Sequence, residues 1–499
     1  MTTSILLCKC KSVFLRALWS TVLCVITTSP VLAQNQAQEV QQLKQQLQQL
    51  QAMMSNLQRQ IAELERAQNV PPPPVPAPPT RVPPPQLPVT YIGAETRTRQ
   101  TDSDFPEEAP RINNEELDPT LRGYFRMPGT QTLMRFSGFV KTDFFYDPSF
   151  TGLWYGGMVP SSFPASPQPN SADSTVSIRP SRFVAEFRQP LGGDILKGLV
   201  DFDLYGTFGR NTPNIRSFWG QYKNFLAGQT WSAFGDPDVW PDTLDFHGPP
   251  GMMGLRTPQF RYTHPFNSHH WIGGTVEKPG TDVPFSTLFG VPVPTSTRPD
   301  FVAFYRYENQ HGHIYAATIF RSVGGFIPDS TVPVELLSGE PLPDLRKHRT
   351  GYGLSLSGAW RLGRLRDNIV FQGIGGRGIS NYYNDNYGLG ADVGFDAAGR
   401  LVATPTWSAS GAYQHYWTKT LRSSATYGYL RINRTAQDPG ESYHVSNYAS
   451  GNIIYQSSPL YLFGAEYIYA SLRRKDDFEW IGRRVQVSLS FFFNRYPTE

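Results

Sequence analysis

From Leu133 onward, hydrophobic and polar positions alternate with a period of two over segments of about ten residues. The last segment shows the pattern most clearly, with Val485, Val487 and Leu489 on one face and Gln486 and Ser488 on the other. A period of two places successive side chains on opposite faces of a β-strand. Strands of this length, with one apolar face rich in Tyr and Trp, are typical of membrane barrels, whereas strands in soluble sandwiches usually run about five to six residues.

Sixteen segments of this kind follow one another. They cover 133–146, 178–189, 197–208, 214–223, 224–232, 257–265, 270–277, 300–308, 312–321, 350–361, 367–377, 406–417, 421–433, 443–456, 459–471 and 483–494. Most odd-numbered connections between them are long and the even-numbered ones are short, which is typical of outer-membrane barrels. The pattern predicts an all-β transmembrane barrel of about 16 antiparallel strands over residues 129–499, with both chain ends in the periplasm.

Upstream of the barrel, residues 34–70 follow a different period. Their apolar positions are spaced alternately three and four apart, which is the heptad seam of an α-helical coiled coil. Residues outside the seam are nearly all Gln, so the pattern favours self-association over packing of one helix on a core. The mixed residue types at the a positions leave dimer and trimer both open. The seam consists of Val40, Leu43, Leu47, Leu50, Met54, Leu57, Ile61 and Leu64.

The remaining N-terminal segments have the composition of a leader and a linker. Residues 1–33 carry basic residues, an apolar stretch and Val-Leu-Ala, and we expect a secretory signal cleaved after Ala33. All three cysteines lie in that segment, so the mature chain is predicted to have no disulfide. Residues 71–128 are first Pro-rich and then polar and acidic, which predicts an extended spacer and linker. Beyond residue 33, no apolar run is long enough for a transmembrane helix.

The balance and the types of charged residue in the sequence point to a candidate function. Without the three basic residues of the signal segment, 42 Lys and Arg stand against 41 Asp and Glu, so net charge argues against nucleic-acid binding. Arg outnumbers Lys by 35 to 10. An Arg facing lipid at mid-depth would cost about 2–4 kcal/mol, so we expect the basic residues of the strands to face the lumen or its rims. These candidate pore-lining, anion-binding residues are Arg135, Lys141, Arg182, Arg188, Arg261, Arg306, Arg361 and Arg422. The alternative is that each one pairs with a lumen acid and braces the wall.

A long connection after the fifth strand, residues 232–255, is a candidate constriction loop. It is rich in Pro and Gly and combines acids with aromatic residues. A sixteen-stranded barrel encloses a wide aqueous lumen, and a stiff loop folded inward would narrow it. The alternative is a loop that stays outside. The candidate constriction residues are Asp236, Asp238, Trp240, Asp242, Asp245 and Phe246, with the aromatic residues as anchors and the acids facing the Arg residues.

Motifs for catalysis or metal binding are weak. The GxGxxG match at residues 373–378 precedes a segment that cannot open a helix, so it does not predict a dinucleotide site. His269 with His270, and His311 with His313, lack further ligands at usable spacing. We therefore predict no metal, no cofactor and no enzymatic activity.

Six segments resemble the DcaP-like porin family in the expected order, from about Gly123 to Tyr496. They are GYFRMPGTQTLMRFSGFVKTDFFYD, SIRPSRFVAEFRQP, LAGQTWSAFGDPDVWPDTLDF, FRYTHPF, GAYQHYWTKTLRSSATYGYL and GNIIYQSSPLYLFGAEYIYASLRR. The resemblance implies a sixteen-stranded, trimeric outer-membrane channel with a periplasmic coiled coil, which passes small organic anions such as dicarboxylates. It also implies an anion-handling role for Arg182, Arg261 and Arg422. The sequence departs from the usual aromatic C-terminus of outer-membrane barrels, because NRYPTE follows Phe493.

The favoured function is therefore passive diffusion of small anionic solutes through an outer-membrane pore. Its expected partners are outer-membrane lipids, two further copies of the chain and the solutes. A phosphate-selective porin is the nearest competing function, although such porins favour Lys, and the barrel region has 7 Lys against 26 Arg. An envelope tether, in which the coiled coil and linker are the functional part, also stays open. A barrel enzyme is disfavoured, because no convincing pairing of His with Ser or Asp is found.

Overall fold

A computed structural model describes residues 124–149, 151–152, 157–164, 172–206, 210–283, 293–326, 347–362, 367–386 and 388–493. The predicted signal segment, the coiled coil and the linker up to residue 123 lie outside the described residues. Those three expectations stay predictions.

The described chain is built almost entirely of β-strands. They are β1 (Phe125–Arg126), β2 (Leu133–Asp147), β3 (Asp173–Ser177), β4 (Arg182–Leu191), β5 (Asp194–Asp203), β6 (Asn214–Tyr222), β7 (Phe225–Trp231), β8 (Arg256–Pro265), β9 (His270–Glu277), β10 (Val293–Thr295), β11 (Asp300–Asn309), β12 (Gly312–Phe326), β13 (Lys347–Arg361), β14 (Asn368–Arg377), β15 (Val393–Phe395), β16 (Leu401–Ala403), β17 (Pro405–Tyr416), β18 (Leu421–Ile432), β19 (Tyr443–Ser458), β20 (Tyr461–Arg474) and β21 (Glu479–Phe493). Short 3-10 turns occur at Pro160–Ser162, Pro237–Val239 and Ser380–Tyr382.

Sixteen antiparallel strands close into a barrel, as the alternation predicted. The ring closes at β2, which pairs with β4 on one side and β21 on the other, so that Phe139 lies opposite both Arg182 and Phe492. The predicted strand 178–189 corresponds to β4, which begins only at Arg182. A separate strand outside the predicted bounds, β3, precedes it, and both pair with β2. Pro180 lies in the break between them and has no backbone N–H for the sheet. The short strand β1 pairs with the start of β2, and the short strand β10 pairs with the end of β12. Strands β15 and β16 form a separate hairpin.

The two faces of the wall differ in exposure as the sequence pattern predicted. On β13, Leu354 is 68% exposed and Leu356 53%, whereas Ser355 and Ser357, which alternate with them, are buried. The exposed apolar side chains form an outer surface suited to lipid, and the buried set faces inward. Among the described residues, no helix is long and apolar enough to span a membrane.

Candidate functional site

The connection between β7 and β8, residues 232–255 and called here the β7–β8 loop, lies inside the barrel. Leu244, which has no exposed surface, and Val239 both pack on inward-facing apolar side chains of the wall. Burying one large aliphatic side chain contributes about 1.5–3 kcal/mol, so two such contacts hold the loop against the wall. Leu244 packs among Phe139, Ile454, Leu462 and Phe492, and Val239 packs among Ala359, Val370 and Ala412.

The peptide backbone at Leu244 is held by three polar wall residues. Glu466 on β20 accepts the N–H groups of Leu244 at 2.6 Å and of Asp245 at 2.8 Å. The carbonyl of Leu244 accepts hydrogen bonds from Lys141 on β2 and, at 2.7 Å, from Gln486 on β21. The buried backbone N–H groups and the carbonyl at Leu244 therefore all have hydrogen-bond partners.

Two acids near the start of the loop join one ion-pair network with the wall. Asp236 accepts the Ser357 hydroxyl at 3.0 Å and lies 2.8 Å from Nε2 of His313. Arg306 Nη2 is 2.9 Å from Oδ2 of Asp238, and its Nη1 is 3.5 Å from Oδ1 of Asp236. Asp236, Asp238 and His313 each offer one possible metal-ligand atom, and these three atoms lie within 4.8 Å of one another. Such a set could hold a metal ion. Because the Arg306 guanidinium already pairs with both carboxylates, the arrangement is an ion-pair network and not an open metal site.

Asp242 is bound farther along the wall, by residues of β17, β18 and β19. Its carboxylate lies 2.7 Å from Nε of Arg422 and accepts a hydrogen bond from Gln414. Its backbone carbonyl accepts the Asn452 amide at 2.7 Å. The four loop acids are between 2% and 6% exposed, so their negative charge is turned into the wall and away from the open lumen.

Asp245 is buried among hydrogen-bond donors and is shielded from water. It accepts hydrogen bonds from the Tyr448 hydroxyl at 3.0 Å, the Met158 N–H at 3.2 Å and the His247 N–H at 3.1 Å. Burial raises the pKa of Asp245 to about 6, although the charge of Arg484 acts in the opposite direction. Burial likewise lowers the pKa of His247 to about 4.

The two aromatic residues proposed as anchors are only half-buried and contact other rings. The Trp240 ring lies 5.2 Å from that of Trp231. Phe246 stacks on Tyr205 at 5.1 Å, and the Arg216 guanidinium lies over its ring at the same distance. The aliphatic anchors Leu244 and Val239 are buried more completely, and sequence reasoning missed both. Their only sequence signal is that they are the apolar positions between the acids.

The structure brings three of the eight predicted basic residues to the β7–β8 loop. Lys141 has no exposed surface, because the loop covers it, so it does not line the open lumen. Arg306 and Arg422 pair with loop acids at 2.9 and 2.7 Å. Because the two charges of each pair are opposite and close together, their electrostatic potentials largely cancel elsewhere in the lumen. These ion pairs therefore stabilise the loop more than they change the electrostatic potential in the pore.

Three others lie elsewhere on the inner face. Arg182 is 3.8 Å from the carboxylate of Asp201, as the bracing interpretation expected. Arg261 donates to the carbonyl of Trp231 at 2.6 Å. Arg361 ends β13 at its short-turn end and is exposed there, at the rim.

Arg135 and Arg188 form a further group near the short-turn end of β2 and β4. Arg135 pairs with Glu186 at 2.7 Å and keeps 17% of its side chain exposed. Arg188 donates to the hydroxyl of Tyr124 at 3.2 Å. Both arginines therefore share their surroundings with one acid and one phenol.

A second inward loop was not foreseen. The connection from β14 to β17 packs on the β7–β8 loop, and the backbone of Tyr382 accepts the N–H of Gly254 at 3.0 Å. The Asn384 amide donates to the carbonyls of His247 and Pro249 at 3.1 and 3.0 Å. Tyr382 and Tyr383 are each 1% exposed. The run SNYYNDNYG carried a signal for this loop, because such aromatic density is unusual in a solvated connection.

Solved structures with similar architecture are porins and channels. The outer membrane channel DcaP of Acinetobacter baumannii aligns with a TM-score of 0.63 at 19% identity, over 74% of this chain and 99% of that chain. A loop-deletion mutant of OmpT, an outer membrane protein of Vibrio cholerae, aligns with a TM-score of 0.45 at 12% identity, over 72% of this chain and 99% of that one. An anion-selective porin from Comamonas acidovorans aligns with a TM-score of 0.44 at 8% identity, over 72% of this chain and all of that one. No protein-family model and no curated protein sequence matches the chain. The alignment with DcaP shows that this chain shares its fold, in agreement with the similarity expected from the sequence.

Proposed function

We propose that this protein is an outer-membrane porin through which small anionic organic solutes, such as dicarboxylates, diffuse passively without bond chemistry. The observation that carries this proposal is the closed sixteen-stranded barrel with an apolar outer face and a loop packed inside it. A barrel with such an outer face has no exposed backbone edge and is suited to a bilayer. The short turns then lie in the periplasm and the long connections outside the cell.

The anion preference rests on which charges stay accessible. The loop acids are buried against the wall, whereas Arg135 keeps part of its side chain exposed and Lys197 is half-buried. Glu186 is similarly accessible and offsets one of these charges. The ion selectivity of a pore follows the charged side chains that line the path, so accessible basic side chains such as these favour anions.

The assembly is proposed to be a homotrimer, with the coiled coil in the periplasm and the β7–β8 loop setting the narrowest cross-section. The support is the unbroken heptad seam and the packing of the loop inside the barrel, where Leu244 and Val239 contact the wall at two places.

The test is the reversal potential of the full chain in a planar bilayer under a salt gradient. We expect the sign of anion preference, weakening near 1 M salt, where the Debye length falls to about 3 Å. Arg135→Gln should reduce the preference. Arg400→Gln, on the exposed turn between β15 and β16, is the matched control and should leave it unchanged. A potential of cation sign in the wild type would rule the proposal out.

A further inference from the structure

The outer face of strands β18–β21 carries arginines at its long-connection end. Arg431 and Arg473 are each the next-to-last residue of their strand, and Arg483 is the fifth residue of β21. Alternation directs all three outward, because their strand neighbours, such as Leu472 and Arg484, are buried on the inner face. A lipid-facing arginine is costly at mid-depth and costs little near the interface, so these three lie at the level of lipid headgroups.

The register of the sheet brings two of these arginines together. Arg431 on β18 and Arg473 on β20 both pair with Val445 on β19, one from each side. Two strand spacings therefore separate their backbones, a distance of about 10 Å, and their long side chains can converge on one group between them. Arg431 donates to the amide oxygen of Asn433 at 2.9 Å. Among the described residues, no acid lies at ion-pair distance from either arginine.

The surface between the two arginines is polar, which is unusual on a face that meets lipid. Asn447 is the next outward residue on β19 after Val445. Its amide oxygen accepts the hydroxyl of Tyr427 at 2.9 Å, and its amide nitrogen donates to Ser471 at 3.3 Å. The amide has a second N–H, which can donate to the oxygen of a headgroup. Tyr427 and, farther along β20, Tyr467 are about half exposed, as expected for rings of an interfacial girdle.

The charges of this face are suited to a phosphate. On the outward side of the described strands β18–β21, the three arginines stand against one acid, Glu479, at the start of β21. Asp477 and Glu441 are exposed in the connections beyond the strand ends, and Asp476 is paired with Arg474 at 2.6 Å. An arginine presents planar N–H forks that match the oxygens of a phosphate.

We propose that Arg431, Asn447 and Arg473 form a binding site for a phosphate group of a phosphorylated glycolipid in the outer leaflet, with Arg483 as a further contact. The inference goes beyond solute transport and rests on the orientation proposed above, which places the long connections outside the cell. The arginine forks and the amide bind the phosphate oxygens, and the acyl chains lie along the apolar and aromatic surface below. The lipid thereby neutralises cations that stand next to hydrocarbon.

The experiment measures binding of lipid A, which carries phosphates on a sugar backbone, to the full-length protein in detergent by native mass spectrometry. We expect Arg473→Gln to weaken binding about fivefold and the double variant with Arg431→Gln about twenty-fivefold, the scale of one arginine at an anionic lipid surface in each step. Lys419→Gln removes a positive charge from the exposed turn between β17 and β18, at the opposite rim, and should leave binding unchanged.

Dephosphorylated lipid A separates recognition of phosphate from contact with the acyl chains. It should bind weakly, and equally to the wild type and the double variant. Equal binding of intact lipid A to these two proteins would overturn the proposal. A lower oligomeric mass of the double variant would also overturn it, because this face would then belong to a contact between copies of the chain. None of these measurements depends on which ions pass, so a cation-selective wild type would contradict the porin proposal alone.

Discussion

At the scale of single residues, alternation predicted which side of the wall a side chain faces but not what it contacts there. Lys141 and Arg135 both lie on the inner face of β2, yet the first is covered by the β7–β8 loop and the second is partly accessible. The difference depends on Leu244, which is about a hundred residues farther along the chain. A period of two contains no information about such distant partners. The sequence could therefore predict which side chains face inward, but not which of them stay accessible from the pore.

The pH dependence of the β7–β8 loop is predicted from Asp245. The pKa of Asp245 is about 6 when the loop is packed against the wall, above the usual 3.8. The packed loop therefore binds a proton more tightly than a released loop does, and its packed state loses stability as the pH rises from about 4 through 6. We expect conductance fluctuations to become more frequent between pH 5 and pH 7. Asp245→Asn should flatten this dependence, because the amide cannot ionise.

Single-channel recording across this pH range checks the prediction. Asp396→Asn, at the exposed turn between β15 and β16, is the control and should behave as the wild type. An Asp245→Asn channel with the wild-type pH profile would show that another group is responsible.

At the scale of secondary-structure elements, the strands were predictable and the inner loops only partly so. The number of strands is confirmed because lipid imposes one apolar side chain at every second position, which is a local constraint visible in the sequence. The break between β3 and β4 was missed although Pro180 marks it. The inward β14–β17 loop was missed because its position depends on backbone contacts with the β7–β8 loop, such as Tyr382 with Gly254, and not on its own periodicity.

Removal of the loop centre is predicted to widen the channel. Deleting residues 238–248 removes Leu244 and Asp242, and with them the apolar anchor and the ion pair to Arg422. We expect a higher single-channel conductance and weaker discrimination between succinate and chloride. Planar-bilayer recording of a correctly assembled channel is the measurement. Deleting Ala397 and Ala398 from the exposed turn between β15 and β16 is the control, and unchanged conductance in the loop deletion would place the narrowest point elsewhere.

At the scale of the whole molecule, the heptad seam predicts that association is shared between the barrel and the N-terminal helix. Leu47→Asp removes one packed layer and introduces a charge, which we expect to cost about 3 kcal/mol or more per helix. The trimer fraction in a mild detergent, measured by sedimentation, should fall. Gln48→Asp adds the same charge outside the seam and should leave the trimer intact. A monomeric wild type in the same extract would contradict the prediction.

The carbonyl of Leu244 also has a consequence for how the chain folds. It accepts hydrogen bonds from Lys141 on the first barrel strand and from Gln486 on the last, two residues that stand on either side of the closing seam. That seam joins segments at opposite ends of the barrel sequence, so its formation must await the complete chain and carries the largest loop-closure entropy in the sheet. The β7–β8 loop, available earlier, offers one acceptor to both edges. We therefore expect the carbonyl of Leu244 to favour the native register between the first and last strands, although Leu244 belongs to neither strand.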